Sequence, residues 1–285
     1  MTHKSLFHFA LVGLLWGIPY LFMKVAVEDF PPAAVVAGRT LIGASILIPI
    51  AIYRKKFGGA VLGFKYVAFY ALMEMIGPWI LITTAEQKIN SGLAGLLVST
   101  VPIFATIITS LRGDHSVWQF KRVLGIVVGF IGLILVVGIE SLSGNSDPLS
   151  IAMVIVASMG YAYAVIMVTT NLPLVDGIAI NGLAMAITTV FWAPVAIAQW
   201  PSSISMNSAL SLIALGVFST AIAFILFFKV MAEIGPARGS LVTYLNTAIA
   251  VLLGVIILRE PLTVGIIVGL PLVLVGSYLA SKKTA

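Results

Sequence analysis

Residues Leu149–Thr170 read LSIAMVIVASMGYAYAVIMVTT, a run of apolar and small residues that contains no charged side chain. A helix that crosses a bilayer needs about 20 mostly apolar residues, so this run predicts a membrane-spanning helix. The run also has a counterpart near the start of the chain. When the sequence is shifted by about half its length, Gly160 and Tyr163 fall on Gly17 and Tyr20. The chain therefore has the pattern of an internally repeated membrane protein.

Nine further stretches have a similar length and polarity. The ten predicted spanning helices are Leu6–Val27, Ala33–Tyr53, Tyr66–Ala85, Gly92–Leu111, Val123–Ile139, Leu149–Thr170, Gly177–Gln199, Ala209–Met231, Gly239–Leu258 and Leu262–Ala280. Transmembrane β-strands would alternate in polarity over about ten residues, whereas these runs are continuous. The predicted fold class is an all-α integral membrane protein with ten transmembrane helices.

Composition excludes a water-soluble protein. The chain is 60% hydrophobic and only 9% charged, whereas a folded soluble domain needs polar cover. Its net charge of +6 would suggest a nucleic-acid partner in a soluble protein, but topology explains it better here, and we expect no nucleic acid. Most of the lysines and arginines fall on one side of the membrane if the N-terminus is cytoplasmic. The positive-inside rule then predicts a cell (inner) membrane protein with both termini in the cytoplasm.

The two halves of the chain form the predicted repeat. Residues 1–139 make the first five-helix unit, residues 140–148 a polar linker, and residues 149–285 the second unit. Because each unit has an odd number of spans, the second enters the membrane from the opposite side. The units are therefore predicted to be inverted repeats, related by a pseudo-two-fold axis in the membrane plane.

Several short motifs resemble a known family. They are Trp16-Gly17 with Lys24, Arg39, Ser91-Gly92-Leu93-Ala94-Gly95 with Pro102, Gly235-Pro236-Ala237-Arg238, and Leu258-Arg259-Glu260-Pro261-Leu262. This pattern resembles the drug/metabolite transporter superfamily, in particular its ten-helix EamA-type members. Two departures stand out: Asn246-Thr247 occupies a place where members commonly carry Glu-Pro, and Asp114 replaces the usual Glu of the first repeat.

The resemblance implies a secondary active transporter that exports small metabolites by alternating access. Amino acids and related compounds are the leading substrate class, and protons are a candidate coupling ion. The resemblance also implies a central cavity lined by the first, third, fourth, sixth, eighth and ninth spans, and a fifth and tenth span that pair through their glycines. Two alternatives stay open: an uncoupled facilitator or exchanger of metabolites or drugs, and a ligand-binding membrane sensor. The expected partners are a small-molecule substrate and the lipid bilayer, and the protein is expected to be a monomer or a weak homodimer.

Glu74 is the sharpest candidate for transport chemistry. It lies in the third span between Met73 and Met75. An acid at the bilayer centre costs about 2.5–3.5 kcal/mol, so it should face the bundle interior. There it would couple transport to protons or attract a cationic group of the substrate. The alternatives are a structural ion pair with Arg39 or Lys24 and a neutral, hydrogen-bonded acid.

Aromatic and amide side chains are the other candidates for substrate contact. The predicted pocket residues are Trp16, Tyr20, Trp79, Tyr163, Tyr244 and Asn246. Aromatic rings at these places would stack on an apolar part of the substrate. Trp79 has an alternative interpretation as an interfacial anchor, and Asn246 as a hydrogen bond between helices.

Three residues are predicted to belong to a gate. Lys24 and Arg39 lie one to two turns inside the outer boundary of their spans. Their alternatives are snorkelling to the headgroups and contact with a substrate carboxylate. Pro102 removes a backbone hydrogen bond and permits a kink in the fourth span.

Motifs for other functions are missing from the sequence. There is no cysteine and no phosphate-binding GxxxxGK[ST] motif, so thiol chemistry and direct ATP drive are not expected. The histidines and acids are too scattered for a metal cluster or a paired-carboxylate active site. We therefore expect a protein that is not an enzyme and that uses no cofactor and no metal.

Overall fold

The computed structural model describes residues 3–113, 119–142, 147–234 and 242–281, without the side chains of residues 137–142 and 281. Within these ranges the regular structure is helical and no strand occurs, which confirms the all-α prediction. Asp114, the Gly235-Pro236-Ala237-Arg238 motif and residues 143–146 of the linker lie outside the described residues.

Apart from a short helix at Phe57–Leu62, the described helices form ten segments, numbered here as spans 1 to 10. They are His3–Ala26, Pro32–Tyr53, Phe64–Ala85, Ser91–Leu111, Phe120–Leu142, Pro148–Asn171, Gly177–Ala198, Met206–Ile234, Val242–Ile256 and Val264–Ser281. Spans 1–4 and 6–8 are long and apolar enough to cross a membrane, and spans 9 and 10 are shorter apolar helices. We call the end of the bundle where span 1 begins the inner end and the opposite end the outer end.

Short polar side chains cap the N-termini of three spans. Asp147 accepts a hydrogen bond from the Ser150 amide before span 6, and Asp176 accepts from the amides of Ile178 and Ala179 before span 7. Ser205 accepts from the Ser208 amide before span 8. Such caps satisfy backbone donors that the first helical turn leaves open.

Two spans of the first repeat are interrupted close to a proline. Span 1 is interrupted at Ile18, directly before Pro19, and span 4 at Ser99 and Thr100, before Pro102. Proline has no amide hydrogen and cannot continue the helical ladder. The interruption of span 4 lies just before Pro102, where the sequence permits a kink.

Spans 3 and 8 each contain a π-helical turn, at Leu72–Ile76 and Val217–Ile222. The two turns occupy corresponding places in the two repeats. In span 3, Pro78 has no amide hydrogen to offer the carbonyl of Glu74 four residues earlier. The indole nitrogen of Trp192 donates to the carbonyl of Ile76, at 3.2 Å. Turns of this kind are frequent at functional sites.

Glycines bring the fifth and tenth spans together, as the resemblance implied. A Cβ atom on Gly276 would lie 2.5 Å from the Cα atom of Gly129, and one on Gly132 would lie 2.9 Å from the amide nitrogen of Val273. The helix backbones therefore touch. Spans 2 and 7 approach in the same way, because a Cβ on Gly182 would meet the Ile48 amide nitrogen at 3.3 Å.

Candidate functional site

A cavity of about 660 Å³ lies in the middle of the bundle and extends toward its inner end. Trp16, Glu74 and Asn246 line its middle, and Thr109, Met231 and Thr243 line it near the inner end. On the outer side the lining stops at three residues, which are Met23, Ile82 and Val98. Among the described residues, the lining therefore reaches the inner ends of several spans and stops short of the outer end.

Glu74 lines this cavity from the π-helical turn of span 3. Its Oε2 atom is buried and has no hydrogen-bond partner. Among the described residues, Glu74 forms no ion pair. The interpretation as a structural pair with Arg39 or Lys24 is wrong, because both of those side chains are engaged elsewhere.

Arg39 is almost fully buried, with 6% of its surface exposed. Its guanidinium carbon lies 3.8 Å from the centroid of the Trp79 ring. Its Nε and Nη2 atoms donate to Thr220 Oγ1 at 3.3 and 3.1 Å. The side chain therefore does not snorkel to the headgroups. It connects span 2 to span 3 and to the π-helical turn of span 8.

Aromatic rings form much of the wall. Trp16 packs against Phe224 and Phe227, with ring centroids 5.6 and 4.5 Å apart. Tyr244 lies beside Tyr278, at 6.3 Å. Tyr20, Trp79 and Asn246 also line the cavity, as does Pro102. The structure thus gathers these predicted pocket residues around Glu74.

Tyr163 lies outside the cavity, so its predicted place is wrong. It lines a separate apolar groove with Met73 and Gly160, and its ring lies 5.9 Å from that of Phe69. Tyr161 lines the cavity instead. Because successive helical residues are about 100° apart, positions separated by two point in nearly opposite directions. An overlay of the repeats that slips by two residues selects the wrong tyrosine.

Sequence reasoning also missed part of the polar lining. Tyr70 donates its hydroxyl to Asn181 Oδ1 at 3.1 Å, and Asn181 Nδ2 donates to the carbonyl of Gly177 at 2.9 Å. Both side chains line the cavity, as does Ser219, whose Oγ atom is buried without a partner. Asn181 could have been predicted from the sequence as a cavity residue, because it is an amide within an apolar span. Spans 2, 5, 7 and 10 contribute to the cavity in addition to the six expected spans.

Lys24 and Asp29 of the first repeat make polar contacts near the outer end. Lys24 does not line the cavity, and its ammonium group donates to the carbonyls of Glu86 and Ile89, at 2.6 and 2.8 Å. Asp29 accepts from the amide and the hydroxyl of Ser205, at 2.9 and 2.6 Å. These hydrogen bonds hold the pKa of the Asp29 carboxyl below its ordinary value. The Asp29 contact joins the two repeats.

A third contact places Glu260 on the start of span 4. Its carboxylate accepts from the amide and the hydroxyl of Ser91, both at 2.8 Å, and from the Gly92 amide at 3.3 Å. Arg259 has a φ of 55°, in the left-handed region that non-glycine residues rarely adopt. This turn directs Glu260 across to the first repeat. A Cβ on Gly254 would also meet the Glu260 carboxylate and the Ser91 hydroxyl, so a larger residue there would displace these side chains.

The sequence of this chain matches a known protein family. A model of the EamA-like transporter family matches residues 3–138 and again residues 148–282. This chain belongs to the EamA-like transporter family. Like its relatives, this EamA-like chain is a multi-pass membrane transporter and not an enzyme.

Similar proteins carry the same general description. An uncharacterized transporter of Bacillus subtilis, YoaV, is 27% identical over 277 residues, which cover 94% of this chain and 93% of that protein. An uncharacterized inner membrane transporter of Escherichia coli, YedA, is 26% identical over 281 residues, with coverages of 95% and 90%. A solved crystal structure covers 99% of this chain and 98% of its own, with a TM-score of 0.65 and 16% identity. This last likeness shows the fold alone.

Proposed function

We propose that this chain is a secondary active transporter that exports small metabolites by alternating access, with amino acids and related compounds as substrates. The observation that carries the proposal is the Glu74 carboxyl, which has a buried oxygen atom without a partner on the wall of the cavity. A buried acid without a countercharge attracts a cationic group. A substrate amine, or a proton, would supply it.

The remaining lining supports an amphipathic substrate of small size. The cavity volume of about 660 Å³ lies within the range of about 300–1,000 Å³ that is typical of small-molecule sites. The rings of Trp16 and Phe227 offer an apolar surface, and Asn246 and Ser219 offer hydrogen bonds. Transport is coupled to protons if a proton and the amine of the substrate compete for the Glu74 carboxyl.

The orientation completes the proposal. With both termini in the cytoplasm, the open inner end faces the cytoplasm and the closed outer end faces outward. Because the chain has no native cysteine, a single Gly58→Cys substitution in the exposed connection between spans 2 and 3 gives a clean probe. We expect a membrane-impermeant thiol reagent to label it only from the cytoplasmic side. Labelling from outside would reverse the topology.

Uptake into proteoliposomes tests the transport function. A labelled panel of amino acids, nucleosides and cationic drugs is offered with and without an imposed pH gradient. We expect saturable uptake of an amino acid that responds to the gradient, and loss of that response in Glu74→Gln. Glu28→Gln, which changes an exposed acid outside the cavity, is the matched control. Uptake by Glu74→Gln with an unchanged gradient response would refute coupling at Glu74, and saturable uptake that ignores the gradient would favour the facilitator.

A further inference from the structure

The outer end contains a second buried acid that the proposed mechanism does not use. Glu86 follows the last helical residue of span 3, and 0% of its surface is exposed. Among the residues that the structure describes, neither of its carboxyl oxygens has a hydrogen-bond partner. An ionised carboxylate in such surroundings is costly, and the group becomes neutral instead by binding a proton. Glu86 differs from Glu74 in position: Glu74 lines the cavity, whereas Glu86 lies beyond its outer limit.

The charged groups around Glu86 leave an excess of negative charge. Lys24 of span 1 gives its hydrogen bonds to the carbonyls of Glu86 and Ile89. Glu260, in the connection between spans 9 and 10, brings a second carboxylate to the same region. The hydroxyl of Tyr20 is the other titratable group nearby. Two carboxylates and one ammonium group sum to one negative charge, which a single proton would cancel.

The two carboxyl groups differ in their hydrogen bonds. Glu260 accepts three hydrogen bonds at the start of span 4, where the helix presents its free amides. Glu86 accepts none. Burial raises the pKa of the Glu86 carboxyl well above its ordinary value, the charge of Lys24 opposes this shift, and the carboxylate of Glu260 adds to it.

We propose that Glu86 is a proton-binding site of the outer gate, which takes up one proton from the outer solution as the gate closes and releases it there as the gate opens. This inference rests on the proposed alternating access. On closing, a hydronium ion or a buffer acid transfers its proton to the carboxylate and a neutral carboxylic acid forms. On opening, Lys24 leaves the two carbonyls and water reaches Glu86. The carboxylic acid then gives its proton to that water. An acidic outer solution therefore favours the closed outer gate.

Infrared spectroscopy of the full chain in lipid tests the site without any substrate. We expect a carboxylic-acid C=O band that persists at neutral pH, disappears in Glu86→Gln and remains in Glu74→Gln. Its titration midpoint should fall by about one pH unit in Glu260→Gln and rise by a similar amount in Lys24→Met. A band of unchanged intensity in Glu86→Gln would overturn the proposal, and so would a midpoint that ignores both neighbouring charges.

A distance measurement tests the gate. Spin labels on cysteines introduced at Glu28 and Ile257, two exposed outer positions in different repeats, report the outer opening by pulsed electron resonance. We expect a longer distance to gain population at alkaline pH in the parent, whereas Glu86→Gln keeps the closed distance at every pH, which also shows that it folds. An unchanged pH response of the distance in Glu86→Gln would overturn the gate role of Glu86 without contradicting the proposed transport function. If the pH response of the distance is lost in Glu86→Gln but the parent transports no substrate, the proton site stands and the proposed transport function fails.

Discussion

The guanidinium of Arg39 lies over the indole of Trp79, with 3.8 Å between its central carbon and the ring centroid. The same group donates twice to Thr220. Arg39 thus joins span 3 of the first repeat to the π-helical turn of span 8, and it lines the same cavity as Glu74.

Replacing Arg39 should weaken this connection even when the charge is kept. In Arg39→Lys, the compact ammonium loses the planar stacking and cannot donate from two fixed positions. We expect a loss of about 1–2 kcal/mol in the free energy of unfolding, measured by thermal unfolding in detergent. Thr220→Val, which removes the acceptor but leaves the stacking, is the matched variant and should cost less. If it costs as much as Arg39→Lys, the ring contact has no role.

Two tyrosines of span 6 form a natural pair for testing the cavity. Tyr161 lines it and Tyr163 faces the apolar groove. Removing one hydroxyl should raise the KM for transport by about fivefold in Tyr161→Phe, because one hydrogen bond contributes about 1 kcal/mol. Tyr163→Phe should leave the KM unchanged. Equal effects of the two variants would mean that the cavity is not the transport site.

The contact between spans 5 and 10 depends on the absence of side chains. A Cβ on Gly276 would meet the backbone of Gly129, which cannot move aside as a flexible side chain can. We expect Gly276→Ala to lower the free energy of unfolding by about 1–3 kcal/mol. Gly58→Ala is the control, because nothing lies within 4 Å of its Cβ position. Similar midpoints for the two variants in a thermal melt would contradict the close contact.

The outer contact of Asp29 should depend on pH with a definite sign. Its folded-state pKa is lowered by the hydrogen bonds from Ser205. Its contribution to stability is therefore present above the unfolded-state pKa and is lost as the pH falls through the folded-state value. Hydrogen exchange at the Ser205 amide should be slower in the parent than in Asp29→Asn at neutral pH, and the two rates should converge in acid. A ratio that stays constant with pH would show that the carboxylate does not hold this amide. Glu28→Gln should behave as the parent.

The sequence by itself determined the class, the number of spans and the family. The class and the number of spans follow from the length and polarity of continuous runs, such as Leu149–Thr170, and the family from short motifs such as Leu258-Arg259-Glu260-Pro261-Leu262. None of these features requires knowledge of which side a residue faces. The placement of Glu74 inside the bundle was also predictable, because a lone acid in hydrocarbon has no acceptable alternative.

Only the tertiary structure decided which side chains meet. The choice of Tyr161 over Tyr163 is a matter of helical phase, and a loose overlay of two repeats cannot fix it. The pairing of Arg39 with Trp79, and not with Glu74, depends on distances between spans 2, 3 and 8. The burial of Glu86 depends on the outer ends of several spans closing over a residue that the sequence places at a helix end. Contacts across spans come from packing, and the linear pattern of polarity does not record them.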